Sequence, residues 1–284
     1  MAGGALGMSA DAPFGAYAPG PLAAFARRLA QATGEGGGGK LARSALFALT
    51  RGQARRPRDV TVFDGERVRL HPYDNLSEKR VYRSERHWDA VERAFIGERA
   101  AAGEGPFRFV DVGANAGLYT LAARSAARAA GRPFAGVAVE PQAEMLARLA
   151  FNLDASGAAA DVTVLPWAAA ARAGELTLAV PVRNRGAAGC AESGVTVPAR
   201  PLVEALEVAG LDGVDVLKID IEGQEGPVLA AFFATAPRRW WPRAIIVEAG
   251  RGDLDLPGAR VCLDEGYEVE ATTRMNALLR WTDA

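Results

Sequence analysis

The chain has 284 residues, of which 49% are hydrophobic and 24% charged, the composition of a globular protein with room for one large domain and an appendage. Its formal net charge of -1 gives it no overall pull on nucleic acid or an anionic membrane, although a local basic patch stays open. Two distant cysteines, Cys190 and Cys262, exclude a disulfide framework and a Cys-based zinc site on number alone, and having two histidines, His71 and His87, argues against a His-rich metal site.

No apolar run reaches the ~18 residues of a membrane span. The N-terminus lacks the basic-then-apolar order of a secretory signal. The expectation is a cytoplasmic protein with neither nucleic acid nor membrane as a partner. Residues 1–20, rich in Gly, Ala and Pro, read as a disordered tail. Residues 21–105 read as an N-terminal α+β extension. It starts with two short helices, Pro21–Ala32 and Lys40 to about Arg51, parted by a glycine run at 35–39. An Arg-rich stretch follows at 51–58. A hairpin comes next, Val60–Phe63 and Arg67–Leu70 around Asp64-Gly65, a pair suited to a turn with positive φ. Ser84 to about Ala101 has Trp88, Val91, Phe95 and Ile96 at helical spacing.

From residue 106 to 284 the pattern is that of an α/β domain. Strands are predicted at Phe107–Val112, Gly136–Glu140, Asp161–Leu165, Val214–Asp220 and Ala244–Glu248. Helices are predicted at Leu118–Ala130, Gln142–Ser156 and Gln224–Thr235. Strands alternating with helices imply a mostly parallel sheet covered on both faces, a three-layer sandwich. Between Ala173 and Leu202 lies an irregular stretch with extended pieces, read as an insertion near the site.

The first of these strands runs into Asp111-Val-Gly113-Ala-Asn115-Ala-Gly117. Ligands of open α/β sheets bind beyond the carboxyl ends of the strands, so this turn is the first place to look. A dinucleotide fingerprint would need glycine where Asn115 and Leu118 stand. Asp111 would repel a pyrophosphate, and no Gly-Lys-Ser/Thr follows to make a P-loop. A carboxylate beside a Gly-rich turn suits a cationic ligand without phosphate, such as S-adenosylmethionine. Its ribose diol then needs an acidic acceptor, and Glu140 ends the next strand. Trp167, after the third strand, has the position to flank an adenine ring or to fill the core.

A second motif, Leu217-Lys-Ile-Asp220-Ile-Glu222-Gly-Gln-Glu225, crowds three acids at the end of the fourth strand. Taken with Val110–Thr120, Val139-Glu-Pro141 and Ile245-Ile-Val-Glu248, it makes the chain resemble the FkbM family of S-adenosylmethionine-dependent methyltransferases over about residues 68–250. The resemblance implies a class I methyltransferase (Rossmann-like) fold, with about seven strands and one antiparallel edge strand. It implies methyl transfer, often to a hydroxyl of a sugar or polyketide. Asp111, Gly113, Asn115 and Gly117 would line the methionine end of the cofactor, Glu140 would take the ribose, and Asp220, Glu222 and Glu225 would stand at the reactive edge. Where members often carry Thr-Leu-Asp-Asp, this chain has Ala199-Arg-Pro-Leu-Val-Glu204.

A neutral hydroxyl is a poor nucleophile, so a general base is expected. Glu222 is preferred, with Asp220 and His71 as the other candidates. No complete ligand set for a metal is present. The acceptor is expected to be a small molecule or glycan. The competing readings are a nucleotide-cofactor oxidoreductase on a similar sheet and a non-catalytic binding protein of this fold.

Overall fold

A computed structural model of the protein describes residues 12–34, 36–49, 56–179, 189–190, 194–250 and 254–282. The expectations for residues 1–11 and for the Arg-rich stretch at 51–55 fall outside these. The N-terminal part comprises α1 (Pro21–Ala32), α2 (Gly37–Leu49), the hairpin β1 (Arg58–Val62) and β2 (Glu66–Leu70), α3 (Leu76–Ser84) and α4 (Ala90–Ala102). The α/β part begins with β3 (Phe107–Val112), α5 (Leu118–Ala129), β4 (Phe134–Val139), α6 (Ala143–Ala155) and β5 (Val162–Leu165). A ribbon follows, made of β6 (Ala168–Ala169), β7 (Gly174–Ala179), β8 (Gly189–Cys190) and β9 (Val195–Arg200). The chain then runs through α7 (Leu202–Ala209), β10 (Val216–Ile219), α8 (Glu225–Thr235), β11 (Ala244–Glu248), α9 (Pro257–Asp264), β12 (Tyr267–Thr272) and β13 (Asn276–Trp281).

The central sheet has seven strands in the order β12-β13-β11-β10-β3-β4-β5. All neighbours pair in parallel except those of β13, which runs antiparallel to β11 and β12. The class I Rossmann-like expectation therefore holds, but the antiparallel strand lies one place in from the edge. The two-residue period sorts β3 between two cores. Phe107 and Phe109 face α4 and α5, with Ile96 and Ala123. Val110 and Val112 face the opposite side with Leu206 of α7, Leu229 of α8 and Cys262 of α9. Strand order reverses at β3, because β4 lies on one side and β10 on the other. The crevice opened there is where such sheets place ligands.

Helix α3, which the sequence reading missed, has a local cause. Asn75 caps it, its Oδ1 accepting the Glu78 amide at 3.1 Å. The helix expected at 84–101 begins only at Ala90. Asp89 takes a left-handed φ of 40°, and Trp88 turns inward between the rings of Phe63 and Tyr119. Residues 12–20, expected in a disordered tail, are tied down from Gly15 to Tyr17. Both of those amides donate to Asp59, and Arg69 donates to the Pro13 carbonyl. The hairpin and α3 share one apolar cluster with α5 and α6, through Val68, Leu70, Tyr82, Leu121 and Leu149. Among the described residues no helix is long and apolar enough to cross a membrane.

Candidate active site

A cleft of about 260 Å³ opens at the carboxyl ends of β3, β4, β10 and β11. Its floor is the turn after β3. The backbone is left-handed at Gly113, Asn115 and Gly117, with φ of 76°, 53° and 80°. Gly113 is needed for space as well as for φ, since a Cβ there would lie 2.0 Å from the Asp220 carbonyl oxygen. A Cβ on Gly117 would lie 2.4 Å from Leu149 Cδ1, so this glycine lets α5 and α6 approach. Gly117 does not line the cleft, whereas Gly113 and Asn115 do.

Glu140 is buried at the end of β4 and faces the cleft. Its two oxygens accept the amides of Asn115, at 2.8 Å, and Gln142, at 2.9 Å. Burial outweighs these bonds and pushes its pKa up to about 7. The turn is also held from the N-terminal side, where Asn75 Nδ2 donates to Asn115 Oδ1 at 2.7 Å.

Asp111 is fully buried and stands behind the turn, outside the cleft. Its Oδ2 accepts the Thr120 amide and hydroxyl, at 3.1 and 2.7 Å, which fixes the first turn of α5 to the strand. Lys218, absent from the sequence-based site, is its cross-strand neighbour and does line the cleft. Lys218 Nζ donates to the Gly113 carbonyl at 3.1 Å and lies 3.4 Å from Asp111 and 3.8 Å from Asp220. Burial lowers the pKa of such an amine, yet the carboxylates of Asp111 and Asp220 overcome that and raise it. One cation thus joins β3, β10 and the turn.

Asp220 and Glu222 both line the cleft from the loop after β10. Glu222 is held in a left-handed backbone, φ 54°, a conformation uncommon away from functional sites for a residue with a side chain. Partial burial, then the charges of Asp220 and Glu225, raise its pKa. Glu225 does not line the cleft. It is buried in the first turn of α8, where its carboxylate accepts the Ile221 amide at 2.7 Å. Glu248, at the end of β11, does line it, and burial followed by Asp220, Glu225 and Glu222 pushes its pKa up to about 7. A carboxylate ending the strand beside β10 was the available signal for this residue. Single oxygens of Asp220, Glu225 and Glu248 lie within 4.8 Å of one another.

Two expected residues are elsewhere. Trp167 is buried in the main core and does not touch the cleft. Burying so large a ring contributes on the order of 3 kcal/mol, against about 1 kcal/mol for a ring–ring contact, so the core wins it. His71 also lies outside the cleft, with its Nδ1 3.2 Å from Glu78, which is in turn paired with Arg148 at 2.7 Å. Its ring is taken up in a structural ion-pair network joining α3 to α6.

The walls come from three other places. The start of α3 supplies Asn75, Ser77 and Arg80, the last bonded to Asp89 at 2.5 Å. The ribbon supplies Ala168, Leu176, Leu178 and Gly189. The β12–β13 turn supplies Met275 and Asn276, with Asn276 donating to Glu92 at 2.8 Å. The irregular stretch at 173–202 is therefore partly β-structure and does border the site.

The family model of the methyltransferase FkbM domain matches residues 111–257. No curated protein matches the sequence. Among solved structures, the precorrin-6y C5,15-methyltransferase of Geobacter metallireducens GS-15 aligns over 66% of this chain and 86% of its own, at 15% identity and a TM-score of 0.42. A SAM-dependent methyltransferase of Agrobacterium tumefaciens aligns over 80% of this chain and 70% of its own, at 9% identity and a TM-score of 0.45.

Proposed function

Because the chain belongs to the methyltransferase FkbM domain family and is an S-adenosylmethionine-dependent methyltransferase, we propose that it O-methylates a hydroxyl group of a sugar, glycan or secondary metabolite, with Glu222 as the general base. The cleft's chemistry fits the cofactor. Its floor presents Glu140, Asp220, Glu222 and Glu248 against the single buried cation Lys218, a balance that favours a cationic ligand and disfavours a diphosphate. The close approach at Gly113 leaves backbone rather than side chain facing the ligand. When bound, S-adenosylmethionine supplies a methyl group already activated by a sulfonium.

The remaining work falls to the chain. Gly113 and Asn115 shape the pocket for the methionine end, and Glu140 offers its carboxylate to the ribose diol. Asp111 and Gly117 act indirectly, holding α5 and α6 so that the turn keeps its shape. Glu222 accepts the acceptor's hydroxyl proton, contributing the 10²–10⁴-fold typical of a positioned base. The observation that carries this assignment is the strained backbone at Glu222 combined with a raised carboxylate pKa at the cleft. Glu248 has a pKa of about 7 and borders the same space, which makes it the second candidate base. The walls exclude water and select the acceptor.

The test is transfer of labelled methyl from S-adenosylmethionine into fractionated polar metabolites and glycans, followed by assignment of the methylated atom by NMR. Label on a hydroxyl oxygen supports the reading. Label found only on nitrogen or carbon would overturn O-methylation while leaving the family assignment intact.

A further inference from the structure

The first two helices carry their larger apolar residues on the wrong side for a water-facing surface. Among the described residues eleven large apolar side chains are left exposed, and five of them, Leu22, Phe25, Leu29, Leu41 and Leu49, sit on α1 and α2. On α1 the packed side is made of Ala23, Ala26 and Ala30, while Leu22, Phe25 and Leu29 recur at helical spacing on the outer side. On α2 the residues turned inward are Arg43, Leu46 and Phe47, and Leu41, Ala45, Ala48 and Leu49 form the outer stripe. Scattered apolar exposure is ordinary, but stripes along two consecutive helices mark a docking surface.

Charge selects the occupant. Neither helix contains an acidic residue, and Arg28 and Lys40 are exposed beside the stripes. Of the other cations on these helices, Arg43 is buried and Arg27 pairs with Glu85 at 2.6 Å, so Arg28 and Lys40 are the ones that give the outer face its positive charge. A second copy would set this cationic face against itself. An anionic bilayer complements both the charge and the apolar stripes, as it does for helices that lie in the headgroup region.

We propose that the outer face of α1 and α2 docks the protein peripherally on an anionic membrane. The near-neutral whole-chain charge concealed this, because the excess acid lies in the rest of the chain. Both helices pack on α3, whose Ser77 and Arg80 line the cleft, so one element joins the docking face to the active site.

The test is flotation of the full-length protein with vesicles of phosphatidylcholine alone and of phosphatidylcholine mixed with phosphatidylglycerol. The protein is expected to float with the mixed vesicles and to be released by salt. Arg28→Glu with Lys40→Glu is expected to weaken binding at least about tenfold. Leu22→Ser with Phe25→Ser is expected to weaken it by a similar factor. S-adenosylhomocysteine affinity should be unchanged in both. If the α1 pair disturbs folding, Leu41→Ser with Leu49→Ser is read in its place. Three outcomes overturn the proposal: no flotation with mixed vesicles, flotation that neither pair weakens, or a dimer in sedimentation velocity that the apolar pair dissociates while vesicles bind nothing.

Discussion

The floor and the walls of the cleft are built by different means. The floor comes from the ends of adjacent parallel strands and is cross-tied by short bonds: Glu140 to two amides, Lys218 to Gly113, and Asp111 to Thr120. The walls come from a capped helix, a ribbon and a hairpin turn drawn from three remote parts of the chain. A methyltransferase has the same donor whatever its acceptor. The contrast suggests a fixed half that binds the donor and a replaceable half that chooses the acceptor.

Perturbing the floor should cost most. Glu222→Gln is expected to lower kcat by about 10²–10⁴ while calorimetry finds S-adenosylhomocysteine bound as in the wild type. Full turnover in this variant would sink the base assignment and direct attention to Glu248→Gln. Gly113→Ala is expected to destabilise the fold by on the order of 3 kcal/mol or more, read as a lower urea midpoint, because its methyl group has no place beside the Asp220 carbonyl.

Glu140 gives the contrast a pH dependence. Its folded pKa, about 7, lies above the ordinary 4.5, so the fold prefers the protonated form. The stability this group contributes is complete below about pH 4.5 and is lost as pH rises through about 7. The ligand-free protein should therefore lose stability relative to Glu140→Gln over that interval. A flat difference between the two thermal profiles would remove the buried-acid account. The smallest effect is expected where wall meets floor. Asn75→Ala loses both a helix cap and the bond to Asn115, at a cost of about 1–2 kcal/mol in denaturant melts. It should raise the KM for the cofactor more than it lowers kcat.

Legibility in the sequence followed the same division. The alternating strands, the Gly-rich turn and the acids Glu140, Asp220 and Glu222 sit where a local pattern specifies them, and all reach the cleft. What local pattern did not reveal was direction. Asp111 and Trp167 flank the motif strands, yet one points behind the turn and the other into the core. Lys218 reads as an ordinary strand residue until β3 is placed beside β10 in register. His71 was a candidate base by residue type, but tertiary packing gave its ring to Glu78. The walls were hardest to foresee, because Ser77, Leu178 and Asn276 share no spacing and meet only once the whole chain has folded.

The near contact between Gly113 and the Asp220 carbonyl also bears on how anything gets in. Loops seated that tightly on either side of the strand-order reversal leave no room for a side chain between them. Motions that admit the donor, or release its spent form, are expected at the margins instead. Hydrogen exchange should find the ribbon and the hairpin tip opening readily, while amides beneath them stay closed.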